Sequence, residues 1–310
     1  MTFSKSPGNI VRGPFTLSRK HCDSPAVRVV TTLCCAASIT RSYTPTDRYK
    51  TWRVDVMERK DMKKSRGRQR SLVLSYLVAA VTIASAAFAA NTAIEPMSQA
   101  GQANWMARYQ AMNDRAKQGH INLIYVGDSI VQNYDTRGKD TWNRYYAPRN
   151  ALNLGISGDR TEHVLWRLDH GNIDGISPKL AIVMIGQNNG GRNTAEEIGA
   201  GVTAVVQKIR AKLPTTKILI LAIFPRREKP TEERDVLAKA SLLAAKLAEN
   251  KTIFYMDINK IFLRPDGSIP AELMPDFEHP SAKGYRIWAE AIEPKVAELI
   301  GDKAIAPAAP

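Results

Sequence analysis

Three residues far apart along the chain, Ser129, Asp276 and His279, have the types needed to make a hydroxyl into a nucleophile. A serine hydroxyl attacks a carbonyl only when a neighbouring base removes its proton. Among the histidines beyond residue 89, His120 precedes the first strand-like run, while His163 and His170 share one helical pattern and read as surface or packing residues. His279 differs, because Asp276 stands three residues before it in Asp276-Phe277-Glu278-His279-Pro280. On a turn, that carboxylate folds back to Nδ1, fixes the tautomer and stabilises the imidazolium that forms during reaction. The expected chemistry is acyl transfer, with Ser129 as nucleophile, His279 as base and Asp276 as its orienter.

Acyl transfer also needs donors aimed at the oxyanion of the tetrahedral intermediate, each typically worth about 10²–10³ in rate. The backbone N–H of Ser129, the backbone N–H of Gly158 and the side-chain amide of Asn188 are the expected three. Ile130, Gln187, Glu278 and Arg226 flank these positions and are the candidate substrate pocket. Gln187 and Glu278 would present polar groups to an acyl chain, and polar groups left unpaired cost on the order of 1–3 kcal/mol, so a short acyl group is expected. Arg226 and Arg227 read either as a solvated basic turn or as ligands for an anionic substrate group. Asp128 is expected to hold the turn and Asp257 to cap one. Trp142, Tyr145, Tyr146 and Trp166 are core residues or rim the cleft.

These residues need elements that bring them to one place. Apolar, β-branched-rich runs at 121–126, 151–154, 180–185, 217–223 and 252–256 read as strands. Helical patterns at 98–118, 161–170, 194–212, 231–249 and 281–299 flank and separate them, and Thr194 with Glu197 forms a capping box. Apolar strands separated by helices indicate a parallel sheet covered on both faces, hence an α/β fold: a three-layer α/β/α sandwich around a mostly five-stranded parallel sheet. In such sheets the crevice lies outside the carboxyl ends of the strands. Gly127-Asp128-Ser129, Gly155 to Asp159, Gly186 to Asn189 and Pro225-Arg226-Arg227 all follow strands there.

Four ordered segments, Val126-Gly127-Asp128-Ser129, Asn153 to Asp159, Gly186-Gln187-Asn188-Asn189 and Asp276-Phe277-Glu278-His279, resemble the four blocks of the SGNH (GDSL-type) hydrolases. The resemblance implies the flavodoxin-like fold of that family and the same five catalytic and oxyanion roles on the matching residues. Within the family the chain is similar to the catalytic subunits of intracellular platelet-activating factor acetylhydrolase and to secreted bacterial GDSL esterases. The first likeness is carried by His163 to Leu168, Asn193 to Glu197 and Pro225 to Pro230, and spans about residues 121–299. Gln187 stands where those acetylhydrolases have a small hydroxyl residue, and Glu278 where an apolar one is usual.

The chain has 310 residues and a formal net charge of +14, unevenly spread. Residues 1–89 hold 16 Lys+Arg against 5 Asp+Glu, and residues 90–310 hold 28 against 25. The folded part therefore lacks the concentrated basic face that a nucleic-acid partner would require. Cys22, Cys34 and Cys35 all precede residue 90, which excludes a cysteine nucleophile or cysteine metal site beyond it. Metal-binding and dinucleotide motifs are missing, so no cofactor is expected. From Met62, a basic stretch, the apolar run Leu72 to Ala87 and Ala87-Phe88-Ala89 read as a signal peptide over 62–89, with a membrane anchor as the alternative. Residues 1–61 then read as an upstream extension, 90–303 as the hydrolase domain and 304–310 as an Ala/Pro tail. On that basis the protein is expected to be secreted or periplasmic, without stable membrane association once the leader is cleaved.

The expected function is hydrolysis of a short, acetyl-sized ester, with a carbohydrate as the favoured alcohol. The expected partner is a small acylated substrate, with a homodimer as one arrangement of the chain. Transfer of the acyl group to a cell-wall sugar, and hydrolysis of a phospholipid acetyl ester, are the rival reactions. A non-catalytic binding module would be marked by loss of Ser129, Asn188 or His279, and none is lost.

Overall fold

The computed structural model describes residues 90–307. Five strands, β1 (Leu123–Gly127), β2 (Ala151–Gly155), β3 (Leu180–Met184), β4 (Lys217–Leu221) and β5 (Ile253–Met256), form a parallel sheet in the order β2-β1-β3-β4-β5. Along β1 and β3 every residue is buried, as a sheet covered on both faces demands. The chain runs from β1 outward to β2 and then returns across β1 to β3. That reversal places a switch point at the carboxyl ends of β1 and β3.

Among the described residues seven helices cover the sheet: α1 (Ala103–Lys117), α2 (Ser129–Gln132), α3 (Lys139–Tyr145), α4 (Thr161–Asp169), α5 (Ala195–Lys212), α6 (Glu232–Ala245) and α7 (Ala282–Ile300). Because side chains alternate across a strand, Ile124 and Val126 face one core with Trp105 of α1, Leu165 of α4 and Val205 of α5. Leu123 and Tyr125 face the other, with Tyr145 of α3 and Tyr285, Trp288 and Ile292 of α7. The three-layer α/β/α reading is therefore realised.

The caps follow the sequence. Thr194 Oγ1 accepts from Glu197 N–H at 3.2 Å while Glu197 Oε2 accepts from Thr194 N–H at 2.9 Å, closing the capping box of α5. Ser281 Oγ accepts from Gly284 N–H at 3.1 Å and starts α7 two residues after His279. Two glycines let α2 sit against the sheet. A Cβ on Gly127 would meet Val131 Cγ2 at 2.3 Å, and one on Gly155 would meet Gln132 N at 2.3 Å, so any larger residue would push the helix away.

Several bounds differ from expectation for a physical reason. Ile185 and Ile223 are apolar and nearly fully buried, yet both lie beyond their strands, because they pack under helices in the loops that follow. The stretch expected to begin a helix at 98 does so only at Ala103. Residues 304–307 are held to the body: Ile305 N–H donates to Glu293 Oε1 at 2.7 Å, and Arg144 donates to the Ala306 carbonyl at 2.8 Å. The expected upstream extension and leader, 1–61 and 62–89, lie outside the described residues. Among the described residues no helix is long and apolar enough to cross a membrane.

Candidate active site

Strand β1 ends at Gly127, and Asp128 then turns the chain into α2 with its Oδ1 accepting the Ile130 N–H at 3.0 Å. This N-cap makes Ser129 the first helical residue and leaves its hydroxyl at the sheet's edge. Tyr285 O–H donates to the Ile130 carbonyl at 2.6 Å and fixes the same turn from α7. Burial pushes the Asp128 carboxyl up to about 7, with Asp159 and Glu278 adding to the effect.

Asp276 shapes the loop before α7. Its Oδ1 accepts from the N–H groups of Glu278 at 3.2 Å and His279 at 2.7 Å, and its Oδ2 lies 3.0 Å from His279 Nδ1. Burial would raise this carboxyl, but the hydrogen bonds from His279 and Glu278 outweigh it and hold it below its ordinary value. On the other side of the ring, Nε2 lies 2.9 Å from Ser129 Oγ. The structure thus brings together three residues separated by up to 150 positions into one hydrogen-bonded chain. With the imidazole proton on Nδ1, Nε2 is free to accept the serine proton.

The oxyanion candidates stand at the ends of β1, β2 and β3. Neither the N–H of Ser129 nor that of Gly158 donates to any group among the described residues, so both remain available to a ligand. Gly158 has φ +77°, a conformation in which an L side chain is strained, and the space around its Cα is open. Asn188 donates one amide N–H to the Asp159 carbonyl at 2.9 Å, which orients the amide and leaves its second N–H unused. Such a set of donors, beside an activatable hydroxyl, can stabilise a tetrahedral oxyanion.

The remaining pocket candidates behave differently from one another. Ile130 is buried in the aromatic core. Gln187 is also buried and donates from Nε2 to Glu278 Oε1 at 3.4 Å. Arg226 donates to Glu278 at 3.1 Å and to Glu233 at 3.1 Å, and its Nη1 reaches the Gln187 carbonyl at 3.5 Å. Gln187, Glu278 and Arg226 form one bonded wall, in which Gln187 Oε1 and Arg226 Nε are buried without a partner among the described residues. Arg226 is neither a solvated turn nor a free anion ligand, while the exposed Arg227 pairs with Glu233 at 3.3 Å. Tyr145 and Tyr146 are core residues, and Trp142 and Trp166 are half-buried in aromatic clusters.

Behind the oxyanion loop lies a polar network that the sequence reading missed. Arg167, wholly buried on α4, donates to Asp159 Oδ2 and Asn172 Oδ1 at 2.7 Å each, to the Leu154 carbonyl at 2.9 Å and to the Gly127 carbonyl at 3.2 Å. Asp159 Oδ1 accepts from Trp105 Nε1–H at 2.7 Å and from Gln99 at 3.1 Å. Burial holds the His163 imidazole below its ordinary value, in keeping with Nδ1 accepting the Arg160 N–H at 3.0 Å. On an amphipathic helix an arginine reads as a solvent-facing residue; the available signals were its adjacency to an apolar run and its place in the His163 to Leu168 stretch.

With this geometry in hand, comparison with known proteins is decisive for class. Residues 125–287 match the GDSL-like Lipase/Acylhydrolase family, and the chain belongs to it. It is 36% identical over 201 residues to platelet-activating factor acetylhydrolase IB subunit alpha2 of Rattus norvegicus, covering 64% of this chain and 86% of that one. Identity to the Homo sapiens subunit alpha2 is 35% over the same shares. A solved acylhydrolase-class structure from Bacteroides fragilis superposes with a TM-score of 0.50 at 15% identity, covering 63% of this chain and 97% of that one. At that identity it shows the fold alone. The protein is a carboxylic ester hydrolase of the GDSL/SGNH type. These relatives also correct the expected location: they are subunits of the acetylhydrolase that the sequence resemblance gave as intracellular, and the 62–89 stretch that pointed to export is not among the described residues. The secreted or periplasmic assignment is withdrawn.

Proposed function

We propose that residues 90–303 hydrolyse acetyl-sized esters through Ser129, His279 and Asp276. The observation that carries this reading is the continuous contact from Asp276 Oδ2 through the His279 ring to Ser129 Oγ, at 3.0 and 2.9 Å. His279 takes the Ser129 proton as Oγ bonds to the carbonyl carbon. The oxyanion is held by the N–H groups of Ser129 and Gly158 and the free N–H of Asn188. His279 returns the proton to the departing alcohol oxygen as the ester bond breaks, leaving an acyl-enzyme. Water then repeats the sequence, releasing the acid and restoring Ser129.

A small acyl group is favoured because Glu278 is already bonded to both Gln187 and Arg226 beside the catalytic residues. A longer chain would separate these partners and strand a partly buried charge. The names of the relatives, acetylhydrolase subunits, favour the same acyl group and make a phospholipid acetyl ester the second reading for the alcohol. Reaction with a fluorophosphonate followed by peptide mass mapping tests the nucleophile. The adduct is expected on Ser129; an adduct on another residue with Ser129 unmodified overturns the assignment.

A further inference from the structure

One groove beside the site has no role in the chemistry above. It encloses about 650 Å³ and is lined by Gln102, Asn104, Ala107, Arg108 and Ala111 on one side and by Gln132, Ile156 and Ser157 on the other. Its position is set by the catalytic elements. Gln132 closes the helical turn that Ser129 opens, and its Oε1 accepts the Ser157 N–H at 2.7 Å. Ser157 directly precedes Gly158. Two of its lining residues are thus neighbours of the catalytic set: Gln132 lies three residues beyond Ser129, a spacing that puts Cβ atoms roughly 5–6 Å apart on a helix, and Ser157 adjoins the Gly158 donor. It is open because Asn104, Ala107, Arg108 and Ala111 share one face of α1 and two of them contribute only a methyl group.

The lining chemistry narrows what fits. Asn104, the Ser157 hydroxyl, Gln132 Nε2 and Gln102 Oε1 make no hydrogen bond among the described residues. These are neutral groups, and together they both donate and accept, as an alcohol hydroxyl does. The one cation, Arg108, is already bound to Asp135 at 2.7 Å and directs its Nε–H to the Gly155 carbonyl, so no unpaired charge awaits a phosphate. We propose that this groove holds the alcohol part of the ester and that the alcohol is a neutral polyhydroxylated one, of sugar type. The inference rests on the esterase reading above and adds the leaving-group subsite and its substrate class.

The test compares three substrates on the full-length chain: an acetylated methyl glucoside, 4-nitrophenyl acetate and a 2-acetyl glycerophosphocholine. The wild-type protein is expected to turn over the glucoside ester. Ala107→Trp, which fills the groove from an exposed helix face, is expected to lower kcat/KM on that ester at least tenfold more than on 4-nitrophenyl acetate. Asn104→Ala is expected to raise KM for the glucoside ester about three- to tenfold, equivalent to loss of a single hydrogen bond. An equal effect of Ala107→Trp on glucoside and aryl esters, or an effect confined to the glycerophosphocholine, overturns the groove assignment while leaving the esterase intact. A wild-type chain inert toward all three overturns the esterase reading, and the groove assignment with it.

Discussion

Arg167 donates its Nε–H to Asp159 Oδ2 at 2.7 Å with both side chains shut off from solvent. The same guanidinium binds the carbonyls at the ends of β1 and β2, the two strands that lead to Ser129 and Gly158. Asp159 in turn offers its own carbonyl to Asn188. One buried ion pair thus underlies all three oxyanion donors. Removing one member of such a pair leaves an uncompensated charge and costs about 3–5 kcal/mol. Arg167→Met is expected to lower the unfolding free energy by that amount in urea titration and to reduce kcat in the fraction that remains folded. Stability within 1 kcal/mol of wild type would contradict this account.

Asp128 predicts a pH dependence of stability. Its carboxyl is raised from 3.8 to about 7 by burial, so the folded state holds the proton more tightly than the unfolded chain. The stabilisation is complete below 3.8 and is lost as pH rises through about 7. Asn keeps the acceptor for the Ile130 N–H without the charge. Asp128→Asn is therefore expected to gain on the wild type between pH 4 and pH 8, by on the order of 2–4 kcal/mol. Thermal melts across that range check it; a gap that does not change with pH would refute it.

The site was legible wherever chemistry fixes a short spacing. An Asp three residues before a His on a turn, and a Ser just after a strand, needed no knowledge of packing. The parallel sheet covered on both faces followed from alternating apolar strands and helices, whereas the strand order, and with it the switch point, came only from the structure. What stayed hidden depends on partners distant in sequence. Nothing local marks Arg167 as buried, or Gln187, Glu278 and Arg226 as one bonded wall. Helix α3, seven residues long, is too short to display a period. The end of α6 was placed too late because Leu247 and Ala248 continue in tighter turns, with N–H groups bonding three residues back. Apolar patterning reports burial, and burial outlasts the regular element.

The acyl pocket predicts a chain-length profile. With Gln187, Glu278 and Arg226 joined, kcat/KM on 4-nitrophenyl esters is expected to fall at least tenfold from acetyl to butyryl. A preference that rises with chain length would remove the acetyl assignment.

Arg137 Nη1 lies 3.3 Å from Asp276 Oδ2, the oxygen that also faces His279. Both side chains of this pair are close to half exposed, so the contact is worth only about 0.2–1 kcal/mol. Arg137→Leu is expected to lower kcat on 4-nitrophenyl acetate two- to fivefold, with Arg137→Lys recovering most of it. A loss beyond a hundredfold would mean that Arg137 touches the reacting atoms, contrary to the arrangement described here.

The most direct measurement is turnover of 4-nitrophenyl acetate by Ser129→Ala, made alongside its melting temperature. The hydroxyl is the atom that bonds to the acyl carbon, so the expected result is a loss of at least about 10³-fold in kcat with the melting temperature held within a few degrees. A folded Ser129→Ala protein that keeps a tenth or more of the wild-type rate would show that the acyl group never passes through this residue.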